Sequence, residues 1–343
     1  MQNEIPGLTG LVNLGNTCFL NSCIQILNNT DELIYLLHDV IEKKTKKDIP
    51  ESFIIDEWIE LRSLMWKRNG IVSPNKFVFG VHRLASIKQI EIFTGWAQND
   101  MPEFLLFFID CLHTSISRNI IVNNAFLLSS EVSNEKKEFI KMNLKDYSEL
   151  KELFFGFYST EIISLSRNAI HSKKDEMYFM LDLSIPHETY RGQSLSIYDC
   201  LDKFITEEIL QEENAWFNET TNKKESVIKR TRFILFPTIL VISFKRFDSY
   251  LQKNNIQIDF PLEGLNLNKY KNGSSSSGNS IYNLYGVCNH MGNVRGGHYM
   301  SFIKKGENWY MYNDTQISII EDIKTQIVTP MAYCLFYRKD STL

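Results

Sequence analysis

Residues Gly10 to Ser22 read Gly-Leu-Val-Asn-Leu-Gly-Asn-Thr-Cys-Phe-Leu-Asn-Ser, and they constrain this chain more than any other stretch. A Gly15-Asn16-Thr17 turn precedes Cys18, and Leu20, Cys23, Ile24 and Leu27 follow at helical spacing. The pattern predicts a helix opening at Cys18 with Asn16 or Thr17 as its cap. A helix N-terminus carries partial positive charge and unpaired N–H groups. Both favour the thiolate, the form of cysteine that attacks carbonyls. The same N–H groups can hold an oxyanion, and Asn13 is close enough in sequence to add a side-chain amide. Taken alone, Cys18 reads more readily as a small core residue, because free cysteine is among the most buried types.

A second segment near the other end of the chain changes that balance. Gly296-Gly297-His298-Tyr299 opens an alternating run through Ile303, Lys305-Gly306 makes a turn, and Trp309-Tyr310-Met311-Tyr312-Asn313-Asp314 follows. This predicts two strands joined by a hairpin, with His298 leading one and Asn313-Asp314 ending the other. Pairing the strands sets an Asn or Asp side chain beside the imidazole. The result is a Cys-His-Asn/Asp arrangement, a base for the thiol and an orienter for the base.

The first segment resembles the cysteine box of the ubiquitin-specific proteases, and the second resembles their histidine box. Three motifs between them agree in order. Gln98-Asn99-Asp100-Met101-Pro102-Glu103-Phe104-Leu105 is similar to the family's Gln-x-Asp-x-x-Glu-Phe-Leu segment. Leu153-Phe154-Phe155-Gly156 is similar to its Leu-Phe-x-Gly motif. Pro237 to Phe247, with Leu240 and Lys245-Arg246-Phe247, is similar to its Pro-x-x-Leu…Lys-Arg-Phe strand, continued by Phe260-Pro261. The collinear matches run from about Leu8 to Tyr337.

The resemblance implies an α+β, papain-like cysteine protease fold with a helical thumb, β-rich fingers and a palm. It is expected as one catalytic domain over residues 1–343, with the thumb at about 8–150, the fingers at about 153–235 and the palm at about 236–343. It also implies thiol-dependent cleavage after the carboxy-terminal glycine of ubiquitin. Cys18 is then the nucleophile, His298 the base, Asn13 an oxyanion donor and Asn313 the orienter, with Asp314 able to share that last role. The implied partners are ubiquitin and ubiquitinated proteins. Gly296, Gly297 and Tyr299 are expected in the substrate cleft, and Asp100 and Glu103 are expected to face ubiquitin's basic tail. For Glu103 a place in the first turn of a helix is an equal reading. His290, which shows no orienter, reads as a cleft-lining or core residue. Two other readings are a non-catalytic ubiquitin-binding scaffold and a cysteine protease for a ubiquitin-like modifier.

The 343 residues suffice for a substantial core, and a net charge of −4 with a pI near 6.0 argues against general nucleic-acid binding. The N-terminus has no signal-peptide pattern. The longest apolar run, Phe233 to Phe244, is too short for a membrane span and reads as a buried strand. Six scattered cysteines fit a reducing compartment, and the expectation is a cytoplasmic monomer. The Lys43–Lys47 run reads as a solvated loop before Pro50 rather than an import signal.

Helices are predicted from residue 18 to about 150, among them one from Asp31 through His38, a Trp58-Leu61-Leu64 stripe and Glu103–Leu112. Strands are predicted at Glu161–Leu165, Met177–Leu183, Val227–Leu235, Ile239–Phe247 and from Tyr282 on, interrupted by a helix over Ile197–Ile209. Lys271–Ser280 reads as a polar loop, and Asp248–Ile256 and Asn289–Gly296 as loops that close over substrate. Many family members hold a structural zinc in the fingers with two C-x-x-C pairs. Here His171, His187 and Cys200 form no close pair, so neither metal nor cofactor is expected.

Overall fold

Helix α1 (Cys18–Asn28) joins the two halves of the molecule, and all 11 of its residues are buried. The expected apolar positions are inside, but so are polar ones, and the side-chain amides of Asn21, Gln25 and Asn28 each donate a bond. Gln25 Nε2 donates to the Thr9 carbonyl at 2.8 Å, and Asn28 Oδ1 accepts the Trp58 indole N–H at 3.0 Å. Buried polar groups are costly unless paired, so these bonds fix the rotation of α1 about its axis.

The computed structural model describes all residues except 1–4, 42–43, 124–125, 127, 166–168, 187–194, 272–278 and 341–343. Lys43, His187 and most of the Lys271–Ser280 segment therefore lie outside the described residues. The helices that follow α1 are α2 (Asp31–Leu36), α3 (Pro50–Lys67), α4 (Asn75–Ile87), α5 (Met101–Ile116), α6 (Asn134–Met142) and α7 (Glu149–Phe154). A short parallel pair, β1 (Thr9–Leu11) and β2 (Gly70–Val72), flanks them. In α3 the buried stripe is Trp58, Leu61 and Met65, while Leu64 is exposed, because helical geometry carries the stripe four residues on from Leu61 rather than three.

From residue 156 on, strands dominate. They are β3 (Gly156–Ser164), β4 (Ile170–Tyr178), β5 (Met180–Ser184), β6 (Leu195–Ser196), β7 (Glu208–Leu210), β8 (Trp216–Asn218), β9 (Lys223–Glu225), β10 (Val227–Leu235), β11 (Ile239–Lys245), β12 (Ile258–Asp259) and β13 (Leu265–Asn266). Then come β14 (Ile281–Asn293), β15 (Gly296–Lys305), β16 (Asn308–Asn313), β17 (Gln316–Ile320) and β18 (Ala332–Lys339), with helices α8 (Ile197–Ile205) and α9 (Ile323–Ile327) between strands. One sheet runs β4-β3-β10-β7, and the larger runs β17-β16-β15-β14-β18-β11-β5, with β13 beside β14. The architecture is α+β.

Several boundaries differ from the sequence reading; the strand expected at Glu161–Leu165, for one, begins at Gly156. The apolar run Phe233–Phe244 is two strands in different sheets, parted around Pro237, which has no N–H to give a ladder. Met177–Leu183 likewise divides between β4 and β5, and β5 joins the larger sheet, parallel to β11. The helix from Ile197 stops at Ile205, where the Thr206 hydroxyl donates to the Asp202 carbonyl at 2.8 Å and the chain turns into β7. Asn289–Gly296 is mostly strand: β14 continues to Asn293 and Asn289 pairs with Met300, so only the turn at Val294-Arg295 lies outside the ladder.

The Lys245-Arg246-Phe247 motif has a packing reason. Arg246 is 1% exposed and donates to three carbonyls, Ala332 at 2.7 Å and Asn254 and Ile256 at 3.0 Å each. It ties the Asp248–Ile256 loop to the sheet. Burial pulls its guanidinium pKa down to about 10. Arg246→Met should cost roughly 3 kcal/mol in chemical denaturation, because three carbonyls lose their donor. A midpoint within error of wild type would mean that the loop does not depend on this side chain.

Candidate active site

Thr17 stands just before α1, as expected of a cap, but its hydroxyl accepts the Leu14 N–H at 2.9 Å and bonds no helix N–H. The Leu14–Thr17 turn is held instead by Asn13 Oδ1, which accepts from the Gly15 and Thr17 N–H groups at 3.0 and 3.1 Å. The N-terminus of α1 is thus left open, with Cys18 on it at 3% exposure. Burial raises the Cys18 thiol above its usual range. The N–H groups of Tyr299, Phe19 and Cys18 itself pull the other way, and the Asp314 carboxylate adds to the rise. The N–H groups act as the sequence reading expected, in favour of the thiolate, but desolvation outweighs them. Cys23 is fully buried and its thiol is pushed higher still.

The predicted hairpin forms, with Ser301 opposite Tyr312 and Lys305 opposite Asn308. It brings His298 to Asn313: Nε2 lies 2.6 Å from Asn313 Oδ1. An amide oxygen only accepts, so Nε2 carries the proton and Nδ1 is left as the basic nitrogen. Tyr299, the residue after His298, lines the same cleft as Cys18, and its backbone N–H acts to lower the Cys18 thiol. Thiol, imidazole and amide are thus assembled from α1, β15 and β16.

Asp314 does something different from Asn313. Its carboxylate accepts from Asn13 Nδ2 at 2.9 Å and Asn21 Nδ2 at 2.8 Å, and its carbonyl accepts the Leu11 N–H at 2.8 Å. Its φ of 49° turns the chain sharply after β16. A Cβ on Gly10 would stand 2.4 Å from the Thr315 carbonyl oxygen, so only glycine lets β1 lie this close to the turn.

A cleft of about 140 Å³ opens beside Cys18, lined by Gln98, Asp100, His290, Gly296, Gly297 and Tyr299 among others. Asp100 proves to be the N-cap of α5, its Oδ1 accepting the Glu103 N–H at 3.2 Å, while Oδ2 accepts the Tyr333 and Tyr299 hydroxyls at 2.8 and 3.2 Å. Burial raises its pKa despite those donors. Glu103 sits exposed in the first turn, its carboxyl raised by partial burial and by Asp100. His290 lies among Tyr299, Tyr333 and Phe247, and burial, aided by Lys253, lowers its pKa to about 4. It is a neutral wall of the cleft. Its ring also explains Gly297, where a Cβ would come within 2.2 Å of His290 Nε2.

Three residues with a part in the site escaped the sequence reading. Gln98 spans the cleft, Oε1 accepting the Gly297 N–H at 2.6 Å and Nε2 donating to Asn16 Oδ1 at 3.3 Å. It was quoted within a motif but given no role. Asn21 carried a signal, a polar residue on an otherwise apolar helical stripe. Tyr333 carried none. Among the described residues no three His, Cys, Asp or Glu side chains converge to hold a metal, and no helix is long and apolar enough to cross a membrane. In the fingers, His171 stacks on Trp216 and its Nε2 lies 3.4 Å from Glu225. Of the lysine run, Lys44 pairs with Glu149 and Lys46 donates to the Thr114 carbonyl.

Fold and site together define a papain-like arrangement of Cys, His and Asn. The profile described as ubiquitin carboxyl-terminal hydrolase matches residues 9–337. The chain belongs to that family. It is 28% identical over 360 residues to human ubiquitin carboxyl-terminal hydrolase 21, covering 97% of this chain and 61% of that protein. It is 30% identical over 345 residues to human ubiquitin carboxyl-terminal hydrolase 2, covering 96% of this chain and 55% of that protein. The chain thus spans about three fifths or less of the length of these curated relatives. Among solved structures, a chain of the SAGA Ubp8/Sgf11/Sus1/Sgf73 DUB module bound to ubiquitin aldehyde superposes with a TM-score of 0.74 at 24% identity, over 99% of this chain and 71% of that one. At that identity the likeness establishes the fold.

The raised Cys18 thiol has a measurable consequence. Alkylation of the free protein by iodoacetamide at Cys18 should accelerate with pH through neutrality and continue to rise into the alkaline range, as for a thiol that ionises late. A rate already at its plateau near pH 6 would show a resting thiolate–imidazolium pair instead.

Proposed function

We propose that this chain is a deubiquitinase, hydrolysing the peptide or isopeptide bond after the carboxy-terminal glycine of ubiquitin. The observation that carries the reading is the His298–Asn313 bond on the hairpin whose first strand lines the cleft beside Cys18. His298 Nδ1 takes the thiol proton as Cys18 Sγ bonds to the glycine carbonyl carbon. The backbone N–H of Cys18 and the second N–H of the Asn13 amide, whose first is given to Asp314, hold the tetrahedral oxyanion. The C–N bond then breaks, and the imidazolium protonates the departing lysine amine. Water, deprotonated by His298, hydrolyses the thioester and restores the thiol.

Gly296, Gly297 and Tyr299 line the path of the tail. Of the two acids proposed to meet its basic residues, Glu103 is the exposed one, while Asp100 shapes the cleft by capping α5. The 8–150 thumb, 153–235 fingers and 236–343 palm belong to the same proposal, as does action as a cytoplasmic monomer without cofactor, on ubiquitinated proteins rather than nucleic acid or membranes. The net charge of −4 supports the exclusion of nucleic acid.

A ubiquitin carboxy-terminal electrophile should label wild type and fail on Cys18→Ser, while Cys18→Ala keeps measurable ubiquitin affinity without turnover. Capture of ubiquitin with no cleavage by wild type would favour the non-catalytic scaffold. Labelling by another modifier's probe and not by ubiquitin's would favour a ubiquitin-like substrate.

Among supporting residues, Asn13→Ala should lower kcat by roughly 10²-fold with little change in KM. Asn313→Ala should cost more than Asp314→Ala in the same assay. An unchanged kcat in Asn13→Ala, or the reverse order for the pair, would reassign the oxyanion donor or the orienter.

A further inference from the structure

At the end of α1 opposite Cys18, a groove of about 690 Å³ is lined by Asn29, Asp31, Arg62, Trp66, Lys305 and Arg338 among others. Its cations are not equally matched. Arg338 is paired with both Asp31, at 3.0 Å, and Glu32, at 2.6 Å, and Lys304 on the rim is paired with Glu263 at 3.0 Å. Arg62 and Lys305 have no such partner among the described residues. Both lie over the same indole: the Arg62 guanidinium carbon is 4.4 Å from the Trp66 ring centroid and Lys305 Nζ is 5.0 Å from it. Lys305 gives one hydrogen bond, to Asn29 Oδ1 at 2.7 Å. Arg62 Nε is buried with no acceptor.

Two cations gathered on one indole repel each other, and an ammonium and a guanidinium in a half-buried groove lose much of their hydration. Burial lowers the Lys305 pKa to about 8, with the attraction of Asp31 and the repulsion of Arg62 acting on it in opposite directions. Burial also lowers Arg62, against the longer-range attraction of Asp31. The helix dipole at the C-terminus of α1 accounts for one cation, since Lys305 reaches Asn29 there, but it does not supply the acceptor that Arg62 lacks. Cation–π contact holds a guanidinium by its face, and with Nε buried it is the terminal Nη groups of Arg62 that are left to meet a phosphate in bidentate fashion. A groove of this volume is within the range that accommodates small ligands.

We infer that this groove is a binding site for a small phosphate-bearing anion, held between the Arg62 guanidinium edge and the Lys305 ammonium. The site is separate from the cleft, and its occupancy does not depend on the proposed activity. Its walls are nevertheless the elements that carry the proposed catalytic groups. Asn28 and Asn29 end the helix that begins at Cys18, and Lys305 ends the strand that carries His298.

The test is calorimetric titration of the whole chain with inorganic pyrophosphate in low-salt buffer. Saturable binding with a Kd below about 1 mM is expected, a range where mass action still gives a readable heat. Arg62→Gln and Lys305→Gln should each weaken it by about ten-fold or more, as loss of a charge-assisted contact does. Lys76→Gln, which removes an exposed cation elsewhere on the surface, should leave it unchanged. Thermal scans of the variants check folding. Should Arg62→Gln unfold, Arg62→Lys, which keeps the charge but not the fork, takes its place with the same expected direction. Absence of saturable binding, or equal weakening by Lys76→Gln and the two groove variants, would overturn the inference in favour of diffuse surface charge.

Discussion

Asp314 holds the two ends of the chain together. Its carboxylate takes the side-chain amides of Asn13 and Asn21, and its carbonyl takes the Leu11 N–H. Those three residues belong to β1, to the turn before Cys18 and to α1. Asp314 itself follows directly on Asn313, which bonds His298. One residue therefore fixes the distance between the segment that carries the thiol and the hairpin that carries the base. The Asn13–Asp314 bond joins residues 301 apart in sequence, so the site is a product of the whole fold rather than of either half.

The electrostatics of the site follow from this arrangement. Bringing α1 against β15 buries Cys18, and burial raises the thiol more than the surrounding N–H groups lower it. An adjacent carboxylate at Asp314 raises it further. In the proposed triad an amide rather than an acid meets the imidazole, and the Asn313 oxygen, 2.6 Å from Nε2, fixes the ring tautomer. His290, a few ångströms across the cleft wall, is kept neutral by its apolar surroundings and does not compete.

Much of this was legible in the sequence because it is written in local patterns. Helical spacing after Cys18, alternation through Ile303 and the Lys305-Gly306 turn each report on neighbouring residues, and each held. Boundaries failed where tertiary pairing decided them. Pro237 sends β10 and β11 to different sheets, and β7 takes up the end of a helix whose apolar pattern ran on to Ile209. The division of labour between Asn313 and Asp314 was hidden for the same reason: which side chain meets which partner depends on the sharp turn at Asp314 and on the approach of β1 allowed by Gly10. The net direction of the thiol's pKa was not legible, because a helix N-terminus is visible in sequence and depth of burial is not.

The account rests on Asp314 acting through the segment before Cys18, and a double-mutant cycle on kcat/KM with Asn13→Ala and Asp314→Ala measures that coupling most directly. If the carboxylate works by holding the Asn13 amide, the double variant should be little worse than the more damaged single one, a coupling of about 1 kcal/mol or more. Fully additive losses, with the fold intact in every variant, would contradict the account and make the two residues independent.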